Sequence, residues 1–243
     1  MSTSRSTPPR SATAQGARAR ARQEITAAIK DEARRQLAEG GGAKLSLRAV
    51  ARELGMVSSA LYRYFPSRDE LLTALIIDAY DSLGVAAERA DAAFREAGHE
   101  VTPARRWVAV CQAVRTWAHA HPQEYALIYG SPVPGYIAPS STVEPAARVG
   151  LLLIRIVREA YEDKGVALPP LPDGLRPEAE RIAADLAPDL PPAVVIALVA
   201  AWAQLYGLVG FELFGQFNRV VEDRSPFFAH AVAQLAHGVG LVK

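Results

Sequence analysis

Residues 53–72 read ELGMVSSALYRYFPSRDELL, and the ten positions between Gly55 and Pro66 hold two serines, an arginine and two tyrosines. A helix this short contributes little to a core and is weak alone, so its polar residues point to something outside the protein. Leu61 and Phe65, one turn apart, anchor it. Ser58, Ser59, Tyr62 and Arg63 then face outward, with Tyr64 near the edge. Before it, Ser46 is placed to cap a helix over Leu47–Leu54, whose inner stripe is Leu47, Val50 and Leu54. Ala51 lets the second helix come close, and Gly55 supplies the positive φ of a tight turn. Two short helices meeting at a glycine, the second polar outside and apolar inside, make a helix-turn-helix. Ser58, Ser59 and Ala60 are small enough to let that helix sink into a major groove. The Tyr62 hydroxyl reaches a phosphate, and Ser67 and Arg68 open the next helix, where backbone N–H groups favour an anion. The alternative is an exposed helical hairpin that touches no nucleic acid.

Charge is distributed in keeping with DNA binding. The 243 residues carry a net charge of only +1, yet the first 70 hold 13 Lys and Arg against 7 Asp and Glu, a surplus of six. The remainder carries a deficit of five. A basic front end on an acidic body suits a polyanionic partner. Half of the residues are hydrophobic and 22 % are charged, as in soluble globular proteins. The single cysteine, Cys111, forms no intrachain disulfide and reads as a buried structural thiol. The first residues, STSRSTPPRSATAQGARARAR, lack the apolar segment of a secretory signal. The stretch PPAVVIALVAAWAQLYGLVGFELFG (191–215) approaches membrane-spanning length, but a buried helix of an oligomer accounts for it better. No membrane partner is expected, and the expected compartment is the reducing cytoplasm, at the nucleoid.

Residues 1–17 have no periodicity and read as a disordered basic arm. A helix is expected from Arg18 to Glu39, with Ile25, Ala28, Ile29, Ala33 and Leu37 on one face, ended by Gly40–Gly42. Ser67 and Glu70 form a capping box for a long helix to about Ala97. Further helices are expected over 103–120, 122–130, 142–165, 175–187, 192–216 and 226–240, several joined by the loops SPVPGYIAP (131–139) and ALPPLPDG (167–174). No run alternates like a strand. The fold class is all-α, with an 18–66 helix-turn-helix domain joined by a long helix to a 67–243 regulatory and dimerisation domain.

The run Ser46-Leu47-Arg48-Ala49-Val50-Ala51-Arg52-Glu53-Leu54-Gly55, then Ala60-Leu61-Tyr62-Arg63-Tyr64-Phe65-Pro66-Ser67-Arg68 with Leu71-Leu72, resembles the DNA-binding domain of the tetracycline-repressor (TetR) family. The resemblance implies that Arg48 contacts a base or phosphate, that Ser58, Ser59, Ala60 and Arg63 lie in the groove, and that Tyr62, Tyr64 and Arg68 hold the backbone. Arg20 and Ser46 complete the expected DNA-binding set. Val57 departs from the Ser or Thr usual in the family, which moves the expected N-cap of the recognition helix to Ser58. AHPQEYALIYGSPVPGY (120–136) and AWAQLYGLVGFELFG (201–215) resemble the C-terminal domain of the subgroup called WHG. Trp202 and Gly207 fit that name; Tyr206 stands where histidine is expected, so no role of that histidine carries over.

Trp107, Trp117, Tyr125, Tyr129, Tyr136 and Phe211 have two readings. Aromatics at helical spacing are ordinarily core; Trp117, Tyr125, Tyr129 and Phe211 otherwise line an apolar effector pocket between helices. His119 and His121 read as helix C-cap residues more readily than as metal ligands. Glu96-Ala97-Gly98-His99 has the Glu-x-x-His spacing of a helical metal-binding enzyme, the alternative function, but such a site needs a second copy. No phosphate loop and no Ser-His-acid set is found, and no cofactor is expected. The reading is therefore a DNA-binding regulator that binds a palindromic operator as a homodimer and releases it to a small apolar or aromatic effector. A DNA-binding module that activates or packages is the third possibility. The dimer is expected on 192–216 and 226–240, through Val199, Trp202, Gly207, Leu208, Phe228 and Leu235.

Overall fold

Apolar residues recur every three or four positions along most of the chain, and the chain accordingly folds into helices. The structure is a computed structural model describing residues 10–96, 102–163 and 165–242, with side chains from Gly16 onward. The helices are α1 Arg10–Gly40, α2 Leu47–Glu53, α3 Ser58–Leu61, α4 Arg68–Glu96, α5 Pro103–Ala120, α6 Pro122–Tyr129, α7 Val143–Asp163, α8 Arg176–Leu186, α9 Pro192–Leu213 and α10 Arg224–Gly238. No strand occurs among the described residues. The expected helices therefore lie within a few residues of those observed. The exception is α1, which starts at Arg10 inside the segment read as a disordered arm; residues 1–9 lie outside the described residues.

Two units are distinguished by their internal packing, and the division falls inside α4, between Leu75 and Ile76, rather than at Pro66. The first unit also takes in Val133–Tyr136 from the α6–α7 loop. Its core is Ile29, Ala33, Leu37, Leu45, Leu47, Val50, Ala51, Leu61, Phe65, Leu71, Leu72 and Leu75, all buried. Leu54, expected on the inner stripe, is half-buried. Gly41, at φ +70°, stops α1 in a conformation that favours glycine. Gly42 admits Val133, whose Cγ2 would lie 2.6 Å from any Cβ there. Tyr136 shares a 2.8 Å hydrogen bond with the Thr73 hydroxyl.

The second unit is organised around α5. Thr102 caps it by accepting from the Arg105 amide at 3.3 Å, and Pro103 follows at the first helical position, where its missing N–H goes unneeded. Its buried stripe, Arg106, Trp107, Val110, Cys111, Val114, Trp117 and Ala118, packs against α6, α7, α9 and α10. Burial pushes the Cys111 thiol far above its ordinary range, so it is an inert core residue.

Two charge clusters lie inside this unit. Arg106 donates to Asp91 through Nε at 2.7 Å and Nη2 at 3.1 Å, both residues at most 5 % exposed, and also bonds Glu159. Arg115 holds Glu212 with bonds of 2.7 and 2.6 Å while its guanidinium sits 5.2 Å from the Phe228 ring centre. Burial alone raises both carboxyl pKa values, but Arg106 and Arg155 at Asp91, and Arg115 and His119 at Glu212, outweigh it, so both are lowered.

We predict that Asp91→Asn lowers the unfolding free energy by about 3 kcal/mol, because it leaves Arg106 buried with a poorer partner. Replacing the pair together, Asp91→Leu with Arg106→Met, should cost much less than the single change. Denaturant titration decides between these outcomes. The sign of the pH dependence follows from the lowered values. The stability from Asp91 and Glu212 is complete above their ordinary pKa values of 3.8 and 4.5 and is lost as pH falls through the lower folded ones. Asp91→Asn should accordingly flatten the acid limb of the stability curve.

Candidate functional site

The recognition turn is built by one short helix pinned from below. α2 ends at Glu53 with Leu54 as its C-cap; Gly55 turns the chain at φ +63°, and the Met56 amide returns to the Ala51 carbonyl at 2.8 Å. α3 then begins at Ser58. Its N-cap is Val57, with no side-chain cap bond, so the cap does not move to Ser58 as expected. Leu61 is fully buried and Phe65 nearly so, which turns the opposite face outward. On that face Ser58, Ser59 and Arg63 are exposed, Tyr62 is 42 % exposed and Ala60 is half-buried. Arg48 is exposed on α2.

The remaining expected DNA contacts are partly engaged within the unit. The Ser46 hydroxyl accepts from the Ala49 amide at 3.4 Å, as the cap of α2. Arg68 is half-buried and donates through Nη2 to the Gly42 carbonyl at 2.7 Å, tying the start of α4 to the α1–α2 connection. Tyr64 lies under the guanidinium of Arg22, 5.1 Å from its ring centre, and Arg22 also donates to the Arg63 carbonyl at 3.4 Å. Arg22 was missed by sequence reading, although it falls seven residues before Ile29 on the buried stripe of α1. Arg20 is exposed, but at 100° per residue it projects from the side of α1 opposite Arg22.

In the regulatory unit the four expected effector residues do not form one pocket. Tyr125 is fully buried and donates to the Tyr206 carbonyl at 2.7 Å. Tyr129 stacks on Tyr206 with ring centres 4.0 Å apart and meets Tyr80 edge-on at 5.9 Å. Trp117 donates from Nε1 to the Ser82 hydroxyl at 2.9 Å and stacks on His121. These rings fill one another's space. Phe211 is 53 % exposed and packs instead on Phe217, because its position on α9 turns it away from the core.

An apolar cleft of about 260 Å³ lies elsewhere, between α7, the end of α8 and α9. Its walls include Ala147, Gly150, Leu151, Ile154, Val199 and Trp202. Trp202 and Val199, expected at a dimer interface, thus line this cleft. Phe228 and Leu235 are buried among the core residues, so α10 spends its apolar face inside its own subunit and they are not open to a partner. Leu208 is half-buried against the core and Gly207 is exposed. His121 caps α5 and its Nδ1 lies 3.0 Å from the Trp117 carbonyl, while His119 Nε2 lies 3.1 Å from Glu212. No group of three or more metal-binding side chains occurs among the described residues. His99 of the Glu-x-x-His sequence lies outside the described residues.

A helix-turn-helix unit with an exposed polar recognition turn, followed by a separate helical unit, defines a DNA-binding regulator of bacterial type. The sequence profile described as bacterial regulatory proteins of the tetR family matches residues 29–75, and that of the tetracyclin repressor-like C-terminal domain matches 107–235. The HTH-type transcriptional regulator Rv1816 of Mycobacterium tuberculosis is 40 % identical over 210 residues, covering 84 % of this chain and 86 % of that protein. The regulatory protein SCO4313 is similar in structure, with a TM-score of 0.72 and 33 % identity over 90 % of this chain and 98 % of that one. A protein from Rhodococcus sp. RHA1 has a TM-score of 0.63 at 25 % identity, over 88 % of this chain and 93 % of that one. The chain belongs to the TetR family: it is a ligand-responsive, DNA-binding transcriptional regulator and not an enzyme.

Base and phosphate contacts separate by sequence and salt. Arg63→Ala should lower affinity for a selected specific duplex by about 1–3 kcal/mol and change random-sequence binding little. Arg68→Ala should weaken both and also lower the melting temperature, since Gly42 loses its donor. Equal losses on both duplexes for Arg63→Ala would remove it from base reading.

Proposed function

We propose that this regulator is a repressor that holds a palindromic operator as a homodimer and releases it when a small apolar molecule enters the regulatory unit. The observation that carries the reading is the recognition turn: Ser58, Ser59, Tyr62 and Arg63 face out over buried Leu61 and Phe65. One such turn offers few base contacts, so two copies on a two-fold axis are needed for tight binding, and a palindrome mirrors that axis. A DNA-binding regulator of this family works in the cytoplasm; its proposed station is the nucleoid.

The proposed dimer face is the outer side of α9. Ile196, Val199, Ala200, Ala203, Gly207 and Phe211 follow one another there, exposed or half-buried. Gln204 is the polar residue among them, and it turns its amide back to the Ala200 carbonyl at 3.1 Å, so burying this face leaves that donor satisfied. α9 is long and apolar enough to cross a membrane. Its other side is committed to the core, however, and it carries Glu212 in a buried pair with Arg115. A second copy therefore suits its outer face better than lipid. A Cβ at Gly207 meets nothing within 4 Å inside the subunit, so a side chain there starts into open space. Gly207→Arg should leave the helical spectrum and melting of the subunit intact, yield monomers by light scattering and abolish specific binding. A dimer that persisted with normal palindrome binding would place the interface elsewhere.

The α7–α9 cleft supports an apolar effector, since its lining offers little beyond the Trp202 indole for hydrogen bonding. Gly150 stands on its wall, with a Cβ position 4.0 Å from Trp202. Screening aromatic and alicyclic compounds by thermal shift should find ones that stabilise the protein and weaken operator binding. Gly150→Met should fill the cleft and cancel both effects. Compounds that act equally on Gly150→Met bind at another site.

A further inference from the structure

The inner stripe of α1 changes character where the helix leaves its own domain. Leu37, Ala33 and Ile29 are buried and Ile25 is half-buried. Continuing toward the N-terminus by three and then four residues, the same side of the helix reaches Arg22 and Arg18. At 100° per residue these six positions fall within an arc of about 120°. The side of α1 that faces protein over 25–37 is therefore arginine over 18–22. α1 itself continues to Arg10, so residues 10–24 form an overhang of about 22 Å beyond the packed stripe. No Asp or Glu precedes Glu24, whereas Arg5, Arg10, Arg18, Arg20 and Arg22 do.

The overhang leaves the domain beside the recognition turn. Arg22 lies over the Tyr64 ring and donates to the Arg63 carbonyl, which fixes that level of α1 against the residues following α3. Arg18 is one turn further out on the same side and is exposed. An apolar stripe that turns basic at the boundary of its own core offers a charge complement to an anionic partner beyond it. We propose that the α1 overhang is a helical arm that binds the DNA backbone, with Arg22 locking the arm to the recognition turn and Arg18 engaging a phosphate flanking the groove that the turn enters. The inference rests on the DNA-binding reading and adds a surface outside the helix-turn-helix. The arm recognises charge and carries no base sequence, so it acts on any duplex.

The test uses the full-length protein and a random-sequence duplex of about 30 base pairs, titrated by fluorescence anisotropy between roughly 50 and 200 mM salt. Arg18→Ala should make the plot of log affinity against log salt shallower by about one per subunit, with affinity about three- to tenfold lower near 0.1 M. Arg181→Ala, which removes an exposed arginine from α8, controls for net charge and should leave the slope unchanged. Ala19→Pro keeps every arginine but breaks the helix between Arg18 and Arg22, and should reproduce the Arg18→Ala loss. A slope for Arg18→Ala equal to that of Arg181→Ala would overturn the arm. So would wild-type behaviour of Ala19→Pro, since a basic tail then needs no helix. A wild-type protein that binds no duplex at all would sink the DNA-binding reading itself, an outcome distinct from the other two.

Discussion

A recognition helix of four residues cannot hold itself, and everything this protein does with DNA depends on what holds it. One helical turn fixes several backbone dihedrals for a single hydrogen bond, so α3 is unstable in isolation. Burial of Leu61 and Phe65 in the core of the first unit supplies the missing free energy, at about 1.5–3 kcal/mol for each large side chain. The same burial sets orientation, since both anchors lie on one side and the polar residues are left on the other. Arg22 over Tyr64 and Arg68 on the Gly42 carbonyl add two further ties at the ends of the turn. Tyr64 and Arg68, which the family resemblance assigns to the DNA backbone, are thus also structural, so a substitution at either disturbs the turn itself as well as any DNA contact.

The regulatory unit obeys a different constraint. Its helices pack around α5, and the buried charges described within it are matched: Asp91 by Arg106, which also bonds the half-buried Glu159, and Glu212 by Arg115. Arg148 lies across α4 on Gly84, where a Cβ would come within 2.6 Å of its Nε, and bonds Asp81 and Glu88 on either side. These pairs join helices distant in sequence and favour one packing over slipped alternatives. A ligand shifts such a body only by binding one packing better than another. An apolar cleft between α7, α8 and α9 is open to that kind of selection; a set of stacked tyrosines already in mutual contact is not.

Much of this was legible in the sequence because local signals agreed with tertiary ones. Gly55, the Ser46 cap and the Ser67 cap with its 3.1 Å bond to the Glu70 amide mark boundaries that packing then keeps. The misses share a cause. Phe211 and Phe228 look alike as apolar residues on apolar helices, and only the placement of neighbouring helices sends one to solvent and the other to the core. Periodicity shows that a face exists without showing what covers it. The aromatic cluster failed as a pocket for the same reason, since composition does not say whether rings leave space or fill it. Residues 10–17 failed differently: Ser, Thr, Ala and Arg give no amphipathic period, but alanine and arginine are strong helix formers, and α1 extends through them.

The informative surfaces are those where a helix keeps a pattern past the point at which its own subunit uses it. α9 remains apolar on the side away from the core, and the residues there include alanine and glycine, which let a second backbone approach closely. α1 keeps its spacing but exchanges isoleucine for arginine at the edge of the domain. The chemistry of each continuation matches the class of counterpart proposed for it: apolar and closely fitting for α9, anionic and extended for α1. These two demands fit one assembly. The proposed pairing through α9 would bring two recognition turns under a common symmetry, and the proposed α1 arm on each would add backbone affinity that does not discriminate between sequences. Discrimination would then fall to Ser58, Ser59, Tyr62 and Arg63, the residues that the short helix keeps free of the core.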